Sequence, residues 1–223
     1  MKGIPMTYTG PNIDCHFDIA NESVNPNQLH PIYIMLIHSS TPLANMIQKF
    51  THDKYSHALI SFNSNFDPMY SFGGKSNGKF GFTYDHLSDP FYSKRQFMPW
   101  ACYVVFVNDA NYKAMQDKLQ YFITNENKLK YDLAGLGAIA AGKAWEKDTK
   151  YFCSGFVADI LQAGGRARGR SYSLYKPQDL THVYASYKVG EGKGFNSLDP
   201  VAIRIATVMA LQKYESRSKG NNG

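Results

Sequence analysis

The chain has 223 residues, 43% hydrophobic and 14% aromatic, which supports one sizeable core and excludes the composition of a disordered chain. Its formal charge of +6 suits an acidic partner such as a cell-wall polymer, an anionic lipid or nucleic acid, without requiring one. Three scattered cysteines, Cys15, Cys102 and Cys153, exclude a disulfide framework and a zinc pattern, and suit a reducing compartment or a thiol with a task of its own.

Residues 1–30 carry Pro5, Pro11 and Pro26 and no sustained period, and read as an irregular arm. The first twelve residues lack the apolar run of a secretory signal. The longest apolar stretch, Leu133 to Ala144, is too short to span a bilayer and is broken by Gly135, Gly137 and Gly142. The expectation is a protein without a transmembrane segment, made in the cytoplasm, with lysis, injection or packaging into a virion as its routes outward.

Ile32 to Ile37 is a continuous apolar run of strand length, followed by His38, Ser39 and Ser40. Thr41-Pro42 is a helix start, and Leu43, Met46, Ile47 and Phe50 follow at helical spacing. Ser56 to Phe62 alternates as a strand, residues 63–68 form a turn, and Met69 to Phe72 is a third strand ending at Gly73-Gly74. Residues 75–99 read as a long ordered loop with at most short pieces of strand. Ala101 to Val107 is a strand. Ala110 to Asn125 is an amphipathic helix buried through Met115, Leu119, Phe122 and Ile123. Leu133 to Ala144 is a small-residue helix, and Phe152 to Ala163 a helix that Gly164-Gly165 ends. A basic loop with Arg166, Arg168 and Arg170 follows, then a last helix over Ile203 to Tyr214 and a polar tail. Strands that look antiparallel, with helices before, between and after, predict an α+β layout. The division expected is an arm over 1–30, one domain over 31–190, and a C-terminal helix and basic tail over 191–223.

The chemistry concentrates in two places. In Tyr151-Phe152-Cys153-Ser154-Gly155-Phe156-Val157, Cys153 stands at the start of a helix. Free N–H groups and the positive dipole end there favour a thiolate and offer donors to an oxyanion. Ser154 and Gly155 are small enough to admit a substrate. A nucleophilic thiol needs a base, and His57, at the mouth of the strand Ser56 to Phe62, has the fixed ring position that general-base geometry requires.

Together these segments resemble the NlpC-type cysteine peptidases. Ser56-His57-Ala58-Leu59-Ile60 and then Met69-Tyr70-Ser71-Phe72-Gly73 are similar to the family's histidine strand and hairpin, and the Cys153 segment is similar to its nucleophile helix. Histidine before cysteine matches the circularly permuted branch, the YiiX-like bacterial proteins and the lecithin:retinol acyltransferase group. Ile32 to Ser40 resembles the strand that opens the permuted domain, and Lys176-Pro177-Gln178-Asp179-Leu180 the stretch after the nucleophile helix; the resemblance covers roughly residues 31–185. It implies a papain-like fold, a Cys153–His57 thiolate mechanism on an amide or acyl ester such as a cell-wall (peptidoglycan) peptide, and no cofactor. It also puts Ser71 where the family carries His, Glu, Gln or Asn behind the imidazole. A serine brings no charge, so the dyad works alone or His86, Asp67 or Asp85 assists, or the site is degenerate. Tyr151 and Tyr55 are expected to line the site beside Ser154, with a core role as the alternative for both tyrosines.

Three further features carry weaker readings. Residues 73–78 lack the spacing of a phosphate loop. His52, Asp53 and His57 cross a helix–strand break and predict no metal site. The arginines, interleaved with Tyr172, Tyr175 and Tyr184, offer a nucleic-acid surface, but a solvated loop beside the site, able to hold an anionic substrate group, is the preferred reading. The rival to the enzyme is a non-catalytic interaction or virion protein of a phage or mobile element on the same scaffold, contacting other virion proteins. The long arm, aromatic loop and basic tail favour it.

Overall fold

The computed structural model describes residues 29–39, 41, 44–45, 48, 53–75, 78–95, 97–167, 169–183 and 186–220. Its strands are β1 (His30–Ile37), β2 (His57–Ser61), β3 (Met69–Gly74), β4 (Phe80–Asp85), β5 (Pro99–Val107), β6 (Lys130–Tyr131), β7 (Lys150–Tyr151) and β8 (Ser186–Lys193). Its helices are α1 (Pro90–Ser93), α2 (Asp109–Thr124), α3 (Leu133–Ala140), α4 (Cys153–Ala163) and α5 (Pro200–Gly220).

Six strands form one antiparallel sheet in the order β4-β3-β2-β1-β5-β8, so the fold is α+β. β1 lies inside the sheet and is buried along almost its whole length, which is why its sequence is a continuous apolar run: both faces are covered. On one face Ile34, Ala58, Phe72 and Phe82 meet Phe122 of α2 and Phe156 and Ile160 of α4. On the other, Tyr33, Leu59, Met69 and Trp100 meet Tyr92 of α1, Phe195, and Ile203 and Leu211 of α5.

Three findings depart from the sequence reading. The stretch after Gly74 is more ordered than a loop with short pieces of strand: it turns through Gly78 (φ 75°) into β4, which pairs with β3 along its whole length from Gly74↔Phe80 to Met69↔Asp85, and the part beyond β4 is irregular around α1. The glycine run that superficially suggested a phosphate loop belongs to this hairpin. β8, unforeseen, pairs with β5 and crosses residue 190, and α5 packs on the same sheet face. The basic loop is solvated only in part: Arg166 is fully buried, with Nη2 donating to the Phe106 carbonyl, whereas Arg170 is exposed, pairs with Asp179 at 2.7 Å and stacks on Tyr175. An arginine consumed inside the fold offers nothing to a phosphate, which removes Arg166 from the nucleic-acid surface and from the anion-holding loop; Arg168 and Tyr184 lie outside the described residues. The helix expected after Thr41 is described only at Ala44, Asn45 and Gln48, where Thr41 caps through its Oγ1 to the Ala44 N–H (3.2 Å). Leu43, Met46, Ile47, Phe50, His52 and Cys15 lie outside the described residues. No helix among the described residues is long and apolar enough to cross a membrane.

Candidate active site

α4 begins without a side-chain cap, because its N-cap residue is Phe152. The first N–H groups of the helix therefore keep free hydrogen-bonding capacity, the arrangement that suits an anion or a developing oxyanion. The Phe152 ring folds over Gly155, where a Cβ would lie 3.2 Å from the ring, so glycine permits this entry into the helix. Cys153 is the first helical residue and is 2% exposed. Its sulfur is approached by the backbone N–H groups of Ala58, Cys153 and Ser154. The contact with Ala58, the residue after His57, brings the start of α4 against the mouth of β2.

His57 is set by its strand. Ile37 pairs with it on the β1 side, and its ring lies over Gly73 of β3, whose missing Cβ would fall 3.4 Å from His57 Cε1. His57 Nε2 is 3.2 Å from Ser71 Oγ, and Ser71 Oγ is 2.6 Å from the Ala58 carbonyl oxygen. A hydroxyl has one proton. A carbonyl can only accept, so that proton goes to Ala58, and Ser71 must accept from Nε2–H. This fixes the imidazole as the Nε2–H tautomer and leaves its lone pair on Nδ1. Ser71 thus sits behind the imidazole, and it does so by hydrogen bond without charge.

Tyr131 completes the cluster. β6 and β7 form a two-residue parallel pairing, Lys130↔Lys150 and Tyr131↔Tyr151, extended by the Asp132 N–H to the Tyr151 carbonyl at 2.9 Å. The pairing carries Tyr131 to the Cys153 sulfur, with which its hydroxyl hydrogen-bonds. The ring is held edge-on against Phe80 at 5.8 Å. Nothing in the sequence singles out Tyr131: two-residue strands have no period, and the only local signal is Asp132 as N-cap of α3, accepting from the Gly135 N–H.

The electrostatics run against a preformed ion pair. Burial pushes the Cys153 thiol up to about 11, although the N–H groups of Ala58, Ser154 and Cys153 pull the other way. Burial holds His57 down to about 4. The expectation that the helix start lowers the thiol pKa is corrected here, because loss of hydration outweighs three backbone donors. The resting pair is thiol and neutral imidazole. Tyr131, raised well above its ordinary range mainly by burial, remains a hydroxyl donor.

A cleft of about 850 Å³ opens beside this cluster at His57 and Tyr131, while Cys153, Ser71 and Ser154 are buried and do not line it. Its lining includes His57, Gly73, Tyr131, Phe80, Asp85 and Tyr92. Ser154 is buried beside the sulfur, its hydroxyl without a partner of good geometry. Tyr55 and Tyr151 do not line the cleft. Tyr55 is a core residue under the Lys54 ammonium, and Tyr151 lies in the aromatic core against Phe72, Phe122 and Tyr172 and hydrogen-bonds Asp159. The other candidates for a group behind the imidazole lie elsewhere: His86 pairs with Asp67, and Asp85 with Thr83 and Tyr92. Among the described residues no group of three or more His, Cys, Asp or Glu is placed to hold a metal.

Compared with protein-family models, with curated proteins and with solved structures, the chain matches none.

Proposed function

We propose that the chain is a cysteine hydrolase of the permuted papain-like type, cleaving an amide, such as one in a cell-wall peptide, or an acyl ester. The observation that carries this reading is the contact of the Cys153 sulfur with the Ala58 N–H, which sets an uncapped helix start and a tyrosine hydroxyl against the strand residue that follows His57, whose imidazole keeps its lone pair on Nδ1 and borders a cleft. Nδ1 of His57 takes the Cys153 proton as the sulfur attacks the carbonyl carbon, and returns it to the leaving amine or alcohol. The free N–H groups at the start of α4 and the Tyr131 hydroxyl hold the oxyanion. Ser71 keeps the tautomer and accepts from the imidazolium that forms. Water then attacks the thioester, again with His57 as base.

The test is hydrolysis of peptidoglycan, synthetic cell-wall peptides and phospholipid vesicles, read as new amines or fatty acids. Activity on one of them that disappears in Cys153→Ala and falls sharply in His57→Gln supports the reading. Activity undiminished in Cys153→Ala overturns it. One observation favours a second reading, a silent scaffold serving as an interaction or virion protein: the thiol is pushed up to about 11 and the imidazole is backed by a hydroxyl without charge. That reading requires Cys153 alkylation to be indifferent to His57→Gln.

A further inference from the structure

The cleft extends beyond His57 along β4. Gly81 pairs with Gly73, under the His57 ring, and Ser71 pairs with Thr83. Paired residues of an antiparallel sheet share a face, and alternate residues of a strand share it too. Gly81, Thr83 and Asp85 therefore point to the side of the sheet that carries His57 and Ser71. From Gly81 to Asp85 is about 13 Å at a strand's rise of ~3.3 Å per residue. Phe91 and Tyr92 of α1 line the cleft beside Thr83, and Asp85 stands at the end of this course.

Asp85 is half-buried, and its hydrogen-bond donors are neutral: Thr83 Oγ1 at 3.2 Å and the Tyr92 hydroxyl. Among the described residues no cation pairs with it. The facing charges are Asp89, which repels it, and His86, which is engaged by Asp67. Burial raises its carboxyl to about 6, against the pull of the two hydroxyl donors and a weaker attraction from His86. A mostly buried carboxylate with only hydroxyl donors, in a cleft wall that carries aromatic rings together with His57, Lys75 and Asp89, is placed to receive a cation.

We propose that Asp85 is a specificity-determining residue, receiving a primary ammonium of the substrate about four extended residues from the scissile carbonyl. The proposal rests on the hydrolase reading only for the identity of that carbonyl. Two sources share this chemistry, the α-amine of a peptide and the side-chain amine of a lysine or other diamino acid.

The experiment titrates the full chain carrying Cys153→Ala, which prevents turnover, with three tetrapeptide amides followed by NMR or calorimetry. They are N-acetyl-Lys-Ala-Ala-Ala-amide, its norleucine counterpart, and tetra-alanine amide with a free amino terminus. A charge-assisted hydrogen bond predicts that a cationic peptide binds about tenfold or more tightly than the norleucine one. The gain disappears in Asp85→Asn, whose amide oxygen still accepts from Thr83 and Tyr92. A gain confined to the lysine peptide assigns a side-chain amine, and one confined to free tetra-alanine an α-amine. Should Asp85→Asn fail to fold, added salt must weaken the cationic peptide and spare the norleucine one. Equal affinities, no binding by any of the three, or a gain that survives Asp85→Asn or added salt overturns the proposal. Failure of the hydrolase reading looks different, as Cys153 alkylation that ignores His57, and leaves the titration unaffected.

Discussion

Replacing His57 by glutamine tests the electrostatic description of the site most directly. Burial holds the folded imidazole near 4 against an ordinary value of 6.5. Between those values the unfolded chain binds a proton at this position and the folded chain does not, so stability falls as the pH drops through the window. The displacement corresponds to about 3 kcal/mol, and to about 2 kcal/mol once discounted for the ring edge that borders the cleft. Glutamine has similar bulk and can donate to Ser71 without titrating. Urea unfolding of both proteins across this window should give stability curves that converge as the pH falls, the wild type losing about 2–3 kcal/mol relative to His57→Gln. Other titrating groups, Asp85 included, are common to both and cancel in the difference. Parallel curves would refute the reasoning, because they require an imidazole that is well hydrated or held by a negative charge.

The alkylation rate of Cys153 by iodoacetamide, measured with Cys15→Ser to remove the thiol outside the described residues, should climb about tenfold per pH unit from neutrality and level off only near pH 11; a plateau below pH 8 would mean a preformed thiolate. Ser71→Ala orphans both the His57 Nε2–H and a hydrogen bond to the Ala58 carbonyl, and denaturant melts should show a loss of about 2 kcal/mol or more, with Ser71→Thr recovering part of it. Tyr131→Phe keeps the ring on Phe80 and removes the hydroxyl from the sulfur; kcat on a substrate found by the hydrolysis screen should fall about a hundredfold, with KM little changed. Gly192→Ala would put a Cβ 2.5 Å from Ser197 Oγ and 2.8 Å from Trp100 Nε1, and calorimetry should show a loss of about 1–3 kcal/mol with the alkylation rate of Cys153 unaltered.

The strands and helices that bury an apolar stripe were legible because periodicity and burial are the same fact seen twice: β1, β2, β5, α2 and α4 all announce themselves in this way. The edge strands did not. β8 carries glycine and charge where it meets solvent, as edges do to avoid pairing with other chains, and β4 follows a glycine-punctuated turn; both read as loop. Arg166 was misread for a related reason, since a charged residue in a glycine-punctuated run gives no local sign that the fold will close over it.

The sequence by itself determined the two ends of the candidate chemistry, Cys153 at a helix start and His57 at a strand mouth, since each position depends on local pattern. Only the tertiary structure decided what surrounds them. The proton of Ser71, and with it the tautomer of His57, depends on a carbonyl one strand away. Tyr131 reaches the sulfur through a pairing between segments twenty residues apart. The protonation states of the thiol and imidazole follow from burial, a property of the packed molecule that has no representation in the order of residues along a chain.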